Sequence, residues 1–168
     1  GLPAFVIPDC LGVNIHFTGT QREQVDKIAD GGFRFIRMDF CWSAIEKEKG
    51  QYDFKAYDEL VESLATKGIR AYFILDYASP LYDKDMAPNT DEGRAAFARF
   101  AAAGAAHFKG KGVLWEIWNE PNIAFWKPQP SVEDYVKLAK AVYTAIKRAN
   151  PNCTVLAPAL SGWDYGFL

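Results

Sequence analysis

The chain has 168 residues, 49% of them hydrophobic and 24% charged, and this balance predicts one globular domain over residues 1–168 with a sizeable core. The formal net charge of −2 argues against a nucleic acid or an anionic membrane surface as a partner. No apolar run approaches the roughly 20 residues that a membrane span needs, and the 3 cysteines form no CxxC pair, so the sequence predicts no metal and no other cofactor.

Strand and helix patterns alternate along the first half of the chain. A short apolar run at 11–17 predicts the first strand, and Thr20 with Glu23 forms a capping box that predicts a helix start. The run 33–40 predicts the second strand. After a long loop, Asp53 opens a second helix, in which apolar residues recur at helical spacing.

The alternation continues through the second half. Continuous apolar residues at 69–75 predict the third strand, and an alanine-rich helix follows at 91–108. The run 112–118 predicts the fourth strand, Ser131 begins the fourth helix, and 153–160 predicts the fifth strand. Strands that alternate with helices predict a parallel sheet with right-handed crossovers.

The connecting loops differ strongly in length. Those from a helix to the next strand are short, whereas those from a strand to the next helix are long and rich in polar and aromatic residues. This asymmetry is typical of a (β/α)8 TIM barrel, whose active site lies at the carboxyl ends of the strands. The predicted fold class is therefore α/β of the (β/α)8 TIM-barrel type, with only about the first five strands and four helices present. A complete open sheet is the alternative, but a nucleotide-binding one is disfavoured because only "TGT" follows the first strand, where a Gly-rich phosphate loop is expected.

The strand ends carry the candidate site residues. In a barrel, side chains at these ends point into the site. Together they form a cup of acids, amides and aromatics with one arginine and one histidine: His16, Arg37, Asp39, Asp76, Tyr77, Asn119, Glu120, Ser161 and Trp163.

The fourth strand, "VLWEIWNEPN", is the most informative stretch. Side chains alternate along a strand, so a regular strand would place Glu116, Trp118 and Glu120 on one face, with Glu120 at the mouth. A carboxylate below the mouth must be paired or neutralised. We therefore expect Glu116 to form a structural ion pair, for which Arg37 is the plausible partner. For Glu120 the competing interpretations are a helix N-cap and a solvated loop acid.

The run "WEIWNEPN" on strand four resembles the signature of the clan A retaining glycoside hydrolases. The stretch 33–83 looks like the strand-two to strand-three region of glycoside hydrolase family 39 and related bacterial exopolysaccharide glycosidases. This resemblance implies that Glu120 is the general acid/base, that Asn119 hydrogen-bonds the sugar 2-hydroxyl, and that Arg37 lies near the nucleophile.

Other strand-end residues are predicted to bind substrate. Aromatic rings stack on the C–H face of a sugar, so Tyr77, Trp126 and Trp163 are candidate platforms, with loop packing as the competing interpretation. His16 and Asp76 are candidate partners for sugar hydroxyls. The implied partner is a polysaccharide or an oligosaccharide.

The expected second carboxylate is missing. Retaining chemistry needs a nucleophile about 5 Å from the acid/base, and in clan A it comes from strand seven, whereas this chain ends just after the fifth. Asp39 and Asp76 are only speculative substitutes. We expect the chain to be the amino-terminal part of a barrel, secreted or periplasmic, that associates with its missing half or with another copy. The alternative function is a non-catalytic carbohydrate-binding or assembly half-barrel module.

Overall fold

The computed structural model describes residues 11–167. Within them, five strands form one parallel sheet in the order β1-β2-β3-β4-β5, so each strand pairs with its neighbour in the chain. The elements are β1 Gly12–Asn14, α1 Arg22–Asp30, β2 Phe35–Cys41, α2 Trp42–Ile45, α3 Lys55–Ala65, β3 Arg70–Asp76, α4 Asp91–His107, β4 Leu114–Ile117, α5 Val132–Ala149 and β5 Thr154–Leu156. Sequential parallel strands joined by helices give the architecture of a partial (β/α) barrel.

Most of the core lies between the sheet and its helices. Phe40, Phe73 and Trp115 come from three adjacent strands, and their ring centroids lie 5.1 to 5.9 Å apart. Gly104 of α4 packs directly on this cluster: a Cβ there would come within 2.9 Å of the Phe40 ring. The alanine-rich helix therefore packs closely against its neighbours, as its small residues predict. None of the helices within residues 11–167 is long and apolar enough to cross a membrane.

Of the two helix starts predicted from capping residues, one is capped as predicted and the other is not. Ser131 caps α5 as predicted, since its Oγ accepts from the backbone N–H of Asp134 at 3.2 Å. The capping box at Thr20 is wrong. Helix α1 begins after Gln21, which has no capping side chain, and the Thr20 carbonyl accepts from Ser63 Oγ at 2.7 Å. This bond ties the residue before the start of α1 to α3.

Strand β4 loses its regularity at Trp118, where φ is +68°. The Trp118 ring therefore turns into the helix layer against Phe97 and Trp126, with centroids 5.8 and 5.1 Å away. The expectation that Trp118 shares a face with Glu116 is wrong, because Glu116 points to the opposite side, where Arg37 binds it.

Candidate active site

A pocket of about 400 Å³ lies at the carboxyl ends of the strands. Its lining joins six residues that the sequence singled out as site residues: His16, Arg37, Asp39, Tyr77, Asn119 and Glu120. Six of the nine residues of the predicted cup therefore lie on one continuous surface, whereas Asp76, Ser161 and Trp163 do not line it. A larger groove of about 540 Å³ runs between α1 and α3, away from these strand ends and lined mainly by ordinary surface side chains.

The base of the pocket is an ion pair between Arg37 and Glu116. Arg37 Nε donates to Glu116 Oε2 at 2.8 Å, and Nη2 donates to Oε1 at 2.9 Å. The Glu116 side chain is 0% exposed, and it also accepts from the Ala159 N–H at 2.8 Å. Burial alone lowers the pKa of Arg37, but the hydrogen bonds and the charge of Glu116 outweigh it and raise that pKa above its ordinary value. The expected structural role of Glu116 is confirmed.

The same guanidinium orients Asn119. Arg37 Nη2 donates to Asn119 Oδ1 at 3.0 Å, and Asn119 Nδ2 donates to the Tyr77 hydroxyl at 2.9 Å. Burial raises the pKa of Tyr77 above its ordinary value, so its hydroxyl keeps its proton and retains an O–H to donate. Arg37 therefore holds the oxygen of the Asn119 amide, and Tyr77 holds its nitrogen. No other hydrogen bond to that amide occurs in the described part of the chain, which leaves one N–H and one lone pair for a ligand.

Glu120 projects into the pocket from a turned backbone. Its φ of +46° is uncommon for a residue other than glycine. Its N–H donates to the Ala159 carbonyl at 3.0 Å, and its own carbonyl accepts from the Ile123 N–H at 3.2 Å. No hydrogen bond to its carboxylate occurs within residues 11–167, and the side chain lines the pocket half-buried. Glu120 therefore presents a carboxyl group that is neither a helix N-cap nor part of an ion pair.

Asp76 lies beneath the pocket. It is 0% exposed, and neither carboxylate oxygen has a hydrogen-bond donor in the described part of the chain. Burial, and then the charge of Asp39, raise the pKa of Asp76 well above its ordinary value of 3.8. The expectation that Asp76 contacts substrate is wrong, because the side chain is fully buried and a sugar in the pocket cannot reach it. The same burial removes it as a substitute nucleophile.

Residues 7–165 match the family model described as Cellulase (glycosyl hydrolase family 5). The chain belongs to this family of glycoside hydrolases. Family 5 is a clan A family, so the predicted kinship with the clan A glycoside hydrolases is confirmed.

Relatives and solved structures extend the comparison to family 39. A β-xylosidase of Geobacillus stearothermophilus is 27% identical over 195 aligned residues, which cover 95% of this chain and 38% of that protein. A family 39 glycoside hydrolase structure from Bacteroides cellulosilyticus is 28% identical with a TM-score of 0.71, covering 88% of this chain and 31% of that one. A family 39 β-xylosidase structure from Caulobacter crescentus is 23% identical with a TM-score of 0.75, covering 96% of this chain and 43% of that one. These structures confirm the partial (β/α) barrel, and the chain spans less than half the length of each of these relatives.

Two predicted aromatic platforms of this cellulase-family chain lie outside the pocket. Trp126 is 1% exposed and packs against Trp118 and Tyr135, so its assignment as a substrate-binding residue is corrected: its ring belongs to the core. Trp163 is 90% exposed in the loop after β5, where its ring lies 6.5 Å from that of Tyr165. It offers a free face, although it does not line the pocket.

The structure adds two residues that the sequence interpretation missed. Phe125 is 45% exposed and lines the pocket with its ring 5.3 Å from that of Tyr77. It was overlooked in favour of the larger Trp126 beside it. Asn14 also lines the pocket and pairs in register with Arg37. Alternation along β1, counted back from His16, was the signal for it.

Proposed function

We propose that this chain carries the acid/base side of a retaining glycoside hydrolase site, which hydrolyses O-glycosidic bonds in a polysaccharide or an oligosaccharide. The observation that carries the proposal is the carboxyl of Glu120 in the pocket, which has no hydrogen-bond partner within residues 11–167, beside an Asn119 amide held on both sides. Membership of a glycoside hydrolase family supports this chemistry.

Glu120 transfers protons in both steps. In its acid form it protonates the glycosidic oxygen, which is a poor leaving group until it is protonated. The resulting carboxylate then takes a proton from the water that releases the sugar from the enzyme. Asn119 hydrogen-bonds the sugar 2-hydroxyl with its free amide groups, a contact that strengthens in the transition state.

The nucleophile is a second carboxylate about 5 Å from the acid/base. Within the described residues, Glu116 is bound to Arg37 and Asp76 is buried, so neither is free to attack a sugar. Asp39 lines the pocket from β2, whereas the family resemblance places the nucleophile on strand seven. We assign the nucleophile to a segment that completes the barrel. That segment, whether the rest of the barrel or another copy, would pair with β5, which bonds only to β4 in the described sheet.

The substrates named for the family and for the relatives suggest where to begin the search for activity. The matched family is described as cellulase, and two of the compared relatives are β-xylosidases. We therefore propose β-linked glucose and xylose oligosaccharides as the first substrates to test, and a secreted or periplasmic location, where such glycans are met.

The decisive experiment is Glu120→Gln in the complete protein that contains this chain. We expect hydrolysis of cellobiose or xylobiose to fall by about 10²–10⁴-fold, the usual contribution of a general acid. The first step on a dinitrophenyl glycoside should fall far less, because that leaving group departs without a proton. Glu62→Gln, an exposed glutamate on α3, is the matched control and should retain activity. Wild-type rates for Glu120→Gln on the natural disaccharides would exclude Glu120 as acid/base.

The second candidate function is a non-catalytic carbohydrate-binding module. It is favoured by one observation: among residues 11–167, Asp39 of β2 is the only acid besides Glu120 that lines the pocket, and strand seven, which the resemblance makes the source of the nucleophile, lies outside them. Such a module would bind oligosaccharides in a titration and release no reducing ends from them, in the complete protein as well as in this chain.

A further inference from the structure

Asp76 is a buried titratable group that the proposed reaction does not use. It ends β3, in register with Cys41 of β2, while Asp39 of β2 pairs with Ile74 two positions earlier. Side chains two positions apart on a strand share a face. Asp39 and Ile74 both line the pocket, so Asp76 lies on the pocket-facing side of the sheet, one step further along the strand.

The surroundings of Asp76 offer no compensation for a negative charge. Its two oxygens have no donor in the described part of the chain, and an isolated carboxylate in such a place is strongly disfavoured. Among the described residues that act most strongly on it, Arg37 is the one cation, and Arg37 is already committed to Glu116. The titratable and charged groups around it are Arg37, Asp39 and Cys41 of β2, Tyr57 of α3, Tyr77, and Glu116 of β4.

Asp39 is the acceptor that a protonated Asp76 requires. It is the charged side chain with the largest influence on Asp76, and it is half-buried in the pocket wall. Two neighbouring carboxyl groups avoid repulsion when one of them is protonated and donates to the other. The fully buried member keeps the proton, because burial penalises its charged form most.

We infer that Asp76 is a positioning residue: it holds a proton, donates it in a hydrogen bond to Asp39, and so fixes Asp39 as a carboxylate that accepts from a sugar hydroxyl in the pocket. The assignment of the proton depends on the fold alone. The role of Asp39 towards a sugar rests on the proposed function.

The proton is tested without any sugar. Infrared spectra at pH 7 should show the carbonyl stretch of a protonated carboxylic acid, and in a Glu120→Gln background, which removes the proposed acid/base, Asp76→Asn should abolish it. The control Asp30→Asn, at an exposed position at the end of α1, should leave the band in place. A wild-type spectrum without the band, or a band that survives Asp76→Asn in the Glu120→Gln background, would overturn the inference.

Stability gives a second reading of the same proton. The folded chain keeps a proton at Asp76, whereas the unfolded chain releases it above pH 3.8, the ordinary pKa of this group. The free energy of unfolding therefore falls as the pH rises above 3.8. The amide of the Asp76→Asn variant has no such proton to lose. The folding equilibrium constant of Asp76→Asn, relative to wild type, should therefore rise about tenfold per pH unit above that value. A ratio that stays flat or falls between pH 4 and pH 7 would contradict the assignment.

The positioning role is tested by comparing donor and non-donor replacements. The amide of Asp76→Asn can still donate to Asp39, whereas the side chain of Asp76→Leu cannot. In titrations with xylobiose and cellobiose, Asp39→Asn and Asp76→Leu should weaken binding by about 10- to 100-fold, as expected for a hydrogen bond to a charged group. Asp76→Asn should bind within about threefold of wild type.

The outcomes of the titration separate the two proposals. Unchanged binding by Asp39→Asn overturns the positioning role, and this variant decides the matter even where Asp76→Leu fails to fold. If the wild-type protein binds neither disaccharide, these sugars are excluded as ligands, and the proposed contact between Asp39 and a sugar hydroxyl is excluded with them. The infrared band still decides whether Asp76 holds the proton in that case.

Discussion

Replacing Arg37 with methionine should strand the carboxylate of Glu116, whose side chain is 0% exposed and would keep only the Ala159 N–H as a donor. Removing one partner of a buried ion pair costs about 3–5 kcal/mol. Protonation limits this loss: a glutamate in water has a pKa of about 4.3, so taking up a proton at pH 7 costs about 3.7 kcal/mol. We therefore expect Arg37→Met to lower the free energy of unfolding by about 3–4 kcal/mol at pH 7 and by about 1 kcal/mol at pH 5.

Urea unfolding followed by tryptophan fluorescence measures both values. Arg22→Met removes an exposed arginine from the first turn of α1 and should change the free energy of unfolding by less than about 0.5 kcal/mol at either pH. A loss for Arg37→Met that is equal at pH 5 and pH 7 would refute the reasoning, because the free-energy cost of an unpaired buried glutamate must fall as the pH falls and protonation becomes easier. A loss below about 1 kcal/mol at pH 7 would show that water reaches Glu116.

Three further substitutions test a buried hydrogen bond and the helix starts, each by urea unfolding. Tyr135→Phe removes the hydroxyl that donates to the buried Ile117 carbonyl at 2.9 Å, and should lower the free energy of unfolding by about 1–3 kcal/mol; no loss would mean that another donor replaces it. Ser131→Ala removes the cap of α5 and should lower it by about 1 kcal/mol, while Thr20→Ala should change it by less than about 0.5 kcal/mol, because the Thr20 side chain caps no helix. Equal losses for Ser131→Ala and Thr20→Ala would contradict the observed helix starts.

The order of the elements and the place of the site follow from the sequence for a physical reason. Strands buried on both faces are continuously apolar, and each strand is followed by a helix, so neighbours in the chain become neighbours in the sheet. Carboxyl ends of parallel strands then meet at one rim. This is why Arg37, Asn119 and Glu120, distant in sequence, line one pocket.

The details that the sequence did not predict depend on contacts between distant residues. Thr20 carries a good local capping pattern, but helix α1 begins after Gln21 without a capping side chain, and the Thr20 carbonyl accepts from Ser63 on α3. Asp76 has the polarity of a binding residue, and only its burial shows that it lies under the pocket. Trp126 and Phe125 are adjacent aromatics, and nothing in their spacing shows that the smaller ring lines the pocket while the larger one enters the core.

The burial of the tryptophans also explains how Glu120 is held in place. Positive φ angles at Trp118 and Glu120 each cost on the order of 1–3 kcal/mol unless the surrounding structure imposes them. The Trp118 ring is 0% exposed, locked between Phe97 and Trp126, and the backbone N–H of Trp118 donates to the Leu75 carbonyl at 3.1 Å. The buried rings therefore hold the backbone between Trp118 and Glu120 in the turn that directs the Glu120 carboxyl group towards the pocket. In this arrangement Trp126 serves the site as an anchor for the residue that carries the acid, in place of the sugar contact that its position in the sequence suggested.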